Sequence, residues 1–451
     1  MHKVFIETYG CQMNALDSDL ILSRLQAGGY VSTTVREEAD LILFNTCSVR
    51  EHAEERALSN AGAVQKLKKT RPDLVVGLVG CMAQNRQDRL FQQLPHLQLI
   101  VGPRHMGAIP RLVEEVRSTG QRRIAVAEFD DEFIDGADAV ASRSTRAQAY
   151  VKAMEGCDLS CTFCIVPTTR GSETSRAPER IVEEVRRLAA EGTVEITLLG
   201  QTVNSYGKGL KPACDLGGLL RKVSDVDGIR RIRFITSHPS FVRPSLIEAM
   251  RDLPKVCKYL HFPVQSGSNP VLRAMRRGYT VERYLELVES LRSEVPGIEL
   301  ASDFIVGFPG ETAEDFERTV ALVERVRFQN SFVFKYSPRP GTDAAGLPDD
   351  VPEDEKKRRN QVLLDLQERQ SRAHNQAQIG RKAEILVEGP SKRDPRRQTG
   401  RTDTHQIVNF DAGRDLTGRF VTVDITGATP NALSGRLAGS EGDGCARAPG
   451  A

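Results

Sequence analysis

Continuous apolar runs punctuate the first part of the chain, and the stretches between them carry helical periodicity. The runs are Val4-Phe5-Ile6, Leu41-Ile42-Leu43-Phe44, Leu74-Val75-Val76-Gly77-Leu78-Val79 and Leu97-Gln98-Leu99-Ile100-Val101. Strands apolar on both faces suit a parallel sheet covered by helices on each side, so residues 1–118 are predicted to form an open parallel α/β domain. Residues 119–147 show little periodicity and include Glu128-Phe129-Asp130-Asp131-Glu132 and Ser142-Arg143-Ser144-Thr145-Arg146, which predicts a surface linker.

A second series follows over 148–370, with strands predicted at 149–154, 194–200, 231–236, 258–264, 298–306 and 331–336. Helical patterns separate them. Pro178 opens one of these, with Ile181, Val182, Val185, Leu188 and Ala189 on its apolar face, and Thr312 is the expected N-cap of another. Six strands with crossover helices predict a partial (β/α)6 relative of the TIM-like barrel, in which functional residues collect at the carboxyl ends of strands. Over 373–438 the texture turns to alternating stretches such as Ala383–Glu388 and Arg419–Ile425, broken by Gly and Pro, as in a small β-barrel. The Gly-rich residues 439–451 read as a disordered tail.

Composition narrows the picture modestly. With 451 residues, 39% of them hydrophobic and 27% charged, the chain has the profile of a multidomain globular protein. Its formal net charge of +2 requires any contact with a polyanion to come from local clustering. No apolar run approaches the roughly 20 residues of a membrane span, and no secretory pattern opens the chain, so a cytoplasmic location is expected. Nine cysteines, an odd number, then fit metal ligation better than a disulfide framework.

Three of those cysteines, Cys157, Cys161 and Cys164, stand as CxxxCxxC just beyond a predicted strand. Three thiolates at that spacing can hold three irons of a 4Fe-4S cube and leave the fourth open to a chelating ligand such as S-adenosylmethionine. A zinc site or buried structural thiols are the alternatives, but zinc wants four ligands and no fourth Cys or His lies nearby. Cys11, Cys47 and Cys81 each lie just beyond the carboxyl end of a predicted strand, 36 and 34 residues apart, about one βαβ unit each time. Any one of them alone reads as a small buried hydrophobe. Three in register at equivalent strand ends read as a second three-thiolate site. Cys214, Cys257 and Cys445 match no such pattern.

Polar residues at other predicted strand ends, Gln201, Asn204, Ser237, Gln265 and Asp303, are candidates for lining a cofactor pocket, each with a structural role as the alternative. In the C-terminal part, Lys392, Arg393, Arg396, Arg397 and Arg401 form a basic run that is a candidate nucleic-acid contact.

Two three-cysteine sites followed by a basic β-barrel, in this order, resemble the methylthiotransferase family of radical S-adenosylmethionine enzymes over nearly the full length. The segments Tyr9-Gly10-Cys11-Gln12-Met13-Asn14, Phe44-Asn45-Thr46-Cys47-Ser48-Val49-Arg50, Cys164-Ile165-Val166-Pro167, Thr169-Arg170-Gly171 and His261–Ser268 look like the branch acting on dimethylallyladenosine in tRNA. One departure is Gln201-Thr202-Val203-Asn204, where many relatives carry Asn at the second position. The resemblance implies a methylthiotransferase N-terminal domain, a radical S-adenosylmethionine partial barrel and a TRAM β-barrel. It further implies two 4Fe-4S clusters and S-adenosyl-L-methionine, used once as radical source and once as methyl donor. The product would be a methylthio group on carbon 2 of the prenylated adenosine at position 37, beside the anticodon. A flavodoxin or ferredoxin as electron donor, a monomeric state and no membrane association complete the expectation. Relatives acting on threonylcarbamoyladenosine, or on an aspartate of a ribosomal protein, are the neighbouring alternatives, and a non-catalytic iron-sulfur protein that binds RNA is the one from another class.

Overall fold

The apolar runs of the first domain become strands of one all-parallel sheet in a computed structural model that describes residues 1–48, 51–126 and 147–439. Strands β1 (His2–Thr8), β2 (Tyr30–Ser32), β3 (Leu41–Thr46), β4 (Val75–Gly80), β5 (Leu99–Val101) and β6 (Arg123–Ala125) lie in the order β2-β1-β3-β4-β5-β6. Every residue of β3 and β4 is buried. Alternation assigns their side chains to two cores. Leu41, Leu43, Val75 and Val79 pack with Leu16, Leu20 and Val113 of helices Gln12–Ala27 and Ile109–Thr119, while Ile42, Phe44, Val76 and Leu78 pack with Ala57 and Ala61 of helix Glu51–Ala63. Burying one such aliphatic side chain contributes about 1.5–3 kcal/mol, which is why the centre of the sheet reads as unbroken apolar sequence.

In this domain two strands escaped the sequence reading. Strand β2 has a single buried residue, and β6 lies inside the stretch read as linker, so the domain runs past residue 118. The rest of that linker, 127–146, and the tail from 440 onward lie outside the described residues.

The second domain carries the six expected parallel strands, β7 (Gln148–Lys152), β10 (Glu195–Leu199), β11 (Arg231–Ile235), β12 (Tyr259–His261), β13 (Glu299–Val306) and β14 (Asn330–Lys335). A short antiparallel pair, β8 (Met154–Glu155) and β9 (Thr174–Ser175), flanks the loop that holds Cys157, Cys161 and Cys164. The strands form two three-stranded sheets, β7-β10-β11 and β12-β13-β14, linked by a bridge between Ile232 and Val256. Outward residues such as Val151, Leu198, Phe234, Leu260 and Phe304 share one core with the helices. Thr312 caps its helix as expected: its Oγ1 accepts the Asp315 N–H at 3.1 Å, and the Asp315 carboxylate accepts the Thr312 N–H at 3.1 Å.

The inner face of this partial barrel is covered unevenly. Tyr150, Leu199 and Ile235, from β7, β10 and β11, pack into the N-terminal domain's core. At the amino ends of the strands sits a closed barrel of β15 (Lys382–Pro390), β16 (Gln398–Arg401), β17 (Ile407–Asp411), β18 (Phe420–Ala428) and β19 (Leu433–Leu437). Arg233 donates to the carbonyls of Thr402 and Asp403 at 2.6 and 2.9 Å, Arg231 donates to those of Arg401 and Glu384, and Tyr259 stacks on His405. The small barrel therefore stoppers the end opposite the cysteines. No helix among the described residues is long and apolar enough to cross a membrane.

Candidate iron-sulfur site at the domain junction

Cys11, Cys47 and Cys81 stand just past the carboxyl ends of β1, β3 and β4, which are neighbours in the sheet. Two glycines allow this convergence. At Gly10, with φ of 138°, an added Cβ would fall 2.7 Å from the Cys47 Cβ and 2.4 Å from the Asn14 Oδ1. At Gly80, with φ of 97°, it would fall 2.5 Å from the Thr46 carbonyl. The buried amides of Asn14 and Asn45 lock the loops together: Asn14 Nδ2 donates to Asn45 Oδ1 and Asn45 Nδ2 donates to the Asn14 carbonyl, at 3.1 and 2.9 Å.

Cys157, Cys161 and Cys164 occupy one loop between β8 and β9. Its ends are pinned by the Cys157 N–H, which donates to the Gly171 carbonyl at 3.1 Å, and by Gly156, where any Cβ would strike the Ser172 carbonyl at 2.0 Å. The Cys164 N–H closes a turn on the Cys161 carbonyl at 3.0 Å.

Each triad meets one buried guanidinium that the sequence reading did not single out. Arg277 donates to Cys161 Sγ at 3.3 Å while also holding the Pro263 carbonyl at 3.0 Å. Arg170 ends helix Val166–Arg170, which starts two residues after Cys164, and donates across the domain junction to Cys81 Sγ at 3.3 Å. It also pairs with Asp17 and Glu155 at 2.7 Å each, and Lys152 completes this buried set at 3.4 Å from Asp17 and 3.1 Å from Glu155. Burial pushes the Glu155 carboxyl up, but the charges of Lys152 and Arg170 outweigh it and hold the group well below the ordinary carboxylate range. For Arg170 the only signal was its place in Thr169-Arg170-Gly171. Arg277 gave none, because a basic pair ordinarily marks a solvated surface.

The donor set fits iron-sulfur ligation. Burial pushes the Cys164 thiol up to about 12 and raises those of Cys157 and Cys81, so these sulfurs resist standing alone as anions. A metal that requires thiolates, with a guanidinium beside each set, reverses that preference. Among the described residues no three Cys, His, Asp or Glu close on one ion-sized point, as a tetrahedral zinc site needs. A four-iron cube spreads its thiolates over separate corners.

On the side of Cys157, Cys161 and Cys164, the buried Ser237 Oγ and His238 Nε2 are among the polar atoms that lack hydrogen-bond partners. Burial, reinforced by Arg277, depresses the His238 pKa to about 2; with Nδ1 accepting the Ser240 N–H at 3.2 Å, the neutral ring carries its proton on the unpartnered Nε2. Such orphans suit a polar cofactor, and His238 is a further residue the sequence reading missed. Gln265 is buried at φ of 76°, and Gln201 Oε1 accepts the Gly156 N–H at 2.6 Å, bracing the cysteine loop. Asp303 pairs with His261 Nε2 at 2.9 Å. Asn204 is buried, and its amide clasps the backbone N–H and carbonyl of His238 at 2.8 and 2.9 Å, tying two strand-end loops together. A cavity of about 800 Å³ is lined by Asp158, Glu173, Lys208 and Cys214 among others, and none of these candidates lines it.

The basic run divides in two. Lys392, Arg393 and Arg396 are exposed, although Arg396 pairs with neighbouring Asp394 at 2.9 Å. Arg397 and Arg401 turn to the barrel itself: Arg397 donates to the Asn409 carbonyl at 3.0 Å, and Arg401 pairs with Glu388 at 2.8 Å.

Comparison with known proteins follows the same three parts. Family models match at residues 3–102 (Uncharacterized protein family UPF0004), 151–323 (Radical SAM superfamily) and 376–438 (TRAM domain). Curated relatives named tRNA-2-methylthio-N(6)-dimethylallyladenosine synthase match nearly end to end. That of Moorella thermoacetica is 46% identical, covering 96% of this chain and 97% of the relative. That of Rhodopirellula baltica is 44% identical over 96% and 95%, and that of Bordetella avium 45% over 97% and 93%. Among solved structures, the radical S-adenosylmethionine methyltransferase TsrM from Kitasatospora setae superposes with a TM-score of 0.57 at 16% identity, over 76% of this chain and 75% of that one. The cobalamin-dependent enzyme OxsB gives 0.54 at 13% identity, over 81% and 56%. At such identities the likeness is one of fold.

Proposed function

The chain belongs to the tRNA-2-methylthio-N(6)-dimethylallyladenosine synthase family, and from that membership we propose how its parts divide the work. It is a radical S-adenosylmethionine methylthiotransferase that modifies carbon 2 of N(6)-dimethylallyladenosine at position 37 of tRNA. When bound, a 4Fe-4S cluster with S-adenosylmethionine supplies an organic radical able to break an unactivated C–H bond, and a second cluster with another S-adenosylmethionine supplies methylated sulfur.

Cys157, Cys161 and Cys164 hold the first cluster, and Cys11, Cys47 and Cys81 hold the second. Arg277 and Arg170 give each thiolate set a fixed positive neighbour and an N–H donor. Ser237, His238 and Gln265 face the methionine-bearing cofactor, while Gln201 braces the cluster loop and Asp303 orients His261. The N-terminal domain, seated on Tyr150, Leu199 and Ile235, excludes water from one half of the inner face. Lys392, Arg393 and Arg396 meet phosphates of the tRNA. A small flavodoxin or ferredoxin supplies electrons, and the protein works as a cytoplasmic monomer.

The observation that carries this reading is the covalent and hydrogen-bonded path from Cys164 through helix Val166–Arg170 to Cys81, which ties the two triads to one junction. The test is anaerobic incubation of the reconstituted chain with S-adenosylmethionine, a reductant and an anticodon stem-loop RNA carrying dimethylallyladenosine, followed by mass spectrometry of the nucleosides. A methylthio product is expected. Cleavage of S-adenosylmethionine without any such product would overturn the assignment of substrate.

A further inference from the structure

Large apolar side chains are rarely left exposed in this molecule, yet Phe332 and Phe334 are 43% and 39% exposed on the same side of one strand. Their side is the inner one. The register pairs Asp303 with Phe332, Phe304 with Val333 and Ile305 with Phe334, and both Phe304 and Val333 pack outward into the helix-backed core. Alternation therefore turns Phe332 and Phe334 inward, beside Asp303 and Ile305. His261, from β12, joins them, with its ring edge-on to Phe332 at 6.1 Å and 84° and its Nε2 held by Asp303.

This half of the inner face differs from the other. On β7, β10 and β11 the equivalent positions are covered by the N-terminal domain, and the amino end is stoppered by the small barrel. Among the described residues nothing covers the aromatic half, where Phe332 and Phe334 stay exposed. It is also continuous with the cluster loop, because Ile305 shares an apolar cluster with Phe163, the residue before Cys164. An exposed aromatic surface beside a radical-generating loop is where a ligand that must present one carbon to that loop would lie.

Resting on the function proposed above, we infer that Phe332 and Phe334 form the seat for the prenylated adenine, and that they select the dimethylallyl substituent over polar ones. A base presents a π-face to stack and the prenyl group a branched hydrocarbon to bury, and exposed phenyl rings serve both. Of His261, Asp303, Ile305, Phe332 and Phe334, none is Lys or Arg and one is an acid. A threonylcarbamoyl substituent would bring its carboxylate against Asp303 and two phenyl rings, which disfavours it.

The test uses the reconstituted full chain and three stem-loop RNAs differing only at the target adenosine: unmodified, dimethylallyl and threonylcarbamoyl. For the wild type the dimethylallyl RNA is expected to bind tightest. Phe332→Ala and Phe334→Ala should each weaken that RNA by about tenfold while changing the unmodified one less, closing the gap between them. Phe334→Leu, which keeps apolar bulk but removes the ring, should fall between, and KM should rise more than kcat falls. Unaltered discrimination in the Ala variants would overturn the inference. If the wild type itself made no methylthio product from the dimethylallyl RNA, the parent reading would fall instead, so the two failures are told apart by one measurement on unmutated protein.

Discussion

Under the proposed function, the two cysteine triads would solve one coordination problem in opposite ways. Cys157, Cys161 and Cys164 lie within eight consecutive residues, shaped by turns of a single loop. Cys11, Cys47 and Cys81 are spread over 71 residues and meet only because β1, β3 and β4 are adjacent and end at one level. The local triad finds its guanidinium, Arg277, within its own domain. The distributed triad borrows Arg170 from the neighbouring domain. A loop can carry a cluster as a self-contained unit, whereas the sheet-borne triad is complete only when the two domains are docked.

The most direct way to break this comparison is to empty one triad at a time. Replacing Cys157, Cys161 and Cys164 by Ala, and separately Cys11, Cys47 and Cys81, should each abolish product and lower iron content from roughly eight to four per chain. Iron and sulfide analysis with Mössbauer spectra checks it. A protein holding only four irons, all lost with Cys157, Cys161 and Cys164, would leave the distributed triad without a cluster.

A smaller but distinctive effect is expected at the junction. Arg170→Ala removes one cation from a buried set and leaves Asp17 and Glu155 short of a partner, which costs about 3–5 kcal/mol by the behaviour of broken buried pairs. Urea midpoints of the metal-free chain measure it. Because the Glu155 carboxyl is held below its ordinary range, its contribution is present above its normal pKa near 4.5 and is lost as pH falls toward about 2. Glu155→Gln should therefore flatten the acid limb of stability. Arg277→Ala, which strips the local triad of its donor, should instead read out in the cluster. Losing an N–H to sulfur together with a positive charge lowers the reduction potential, by about 50 mV, in an EPR-monitored titration.

The contrast also explains what was legible in the sequence. The local triad announces itself by spacing. The distributed one was legible only because apolar runs mark strands, so the position of each cysteine just past a run could be seen before the strands were assembled. Strands β2 and β6 were not legible, since each is a three-residue edge without the apolar continuity that burial on both faces imposes. The position of Asn204 after a strand was legible, but its clasp on the His238 backbone was not, because that partner lies 34 residues away in sequence. Arg170 and Arg277 belong to the same class of blindness: a buried cation is defined by partners remote in sequence.

The smallest expected effect concerns the basic run of the small barrel. The basic run is uniform in sequence but not in space. Arg396 is 89% exposed at its side chain, whereas Arg397 and Arg401 are each 29% exposed and bound to barrel acceptors. Replacing Lys392, Arg393 and Arg396 by Ala should therefore weaken tRNA binding across sequences. The dependence of log K on log salt should become shallower by up to about one for each phosphate no longer neutralised, with iron content and Tm unchanged. Arg401→Ala should do the reverse, lowering Tm by loosening its tie between β15 and β16 while barely moving the salt slope. Affinity series across salt, run beside thermal melts, compare the two. Equal salt slopes for the two variants would mean that the run contacts RNA as one stripe, and that the ion pair with Glu388 opens when tRNA binds.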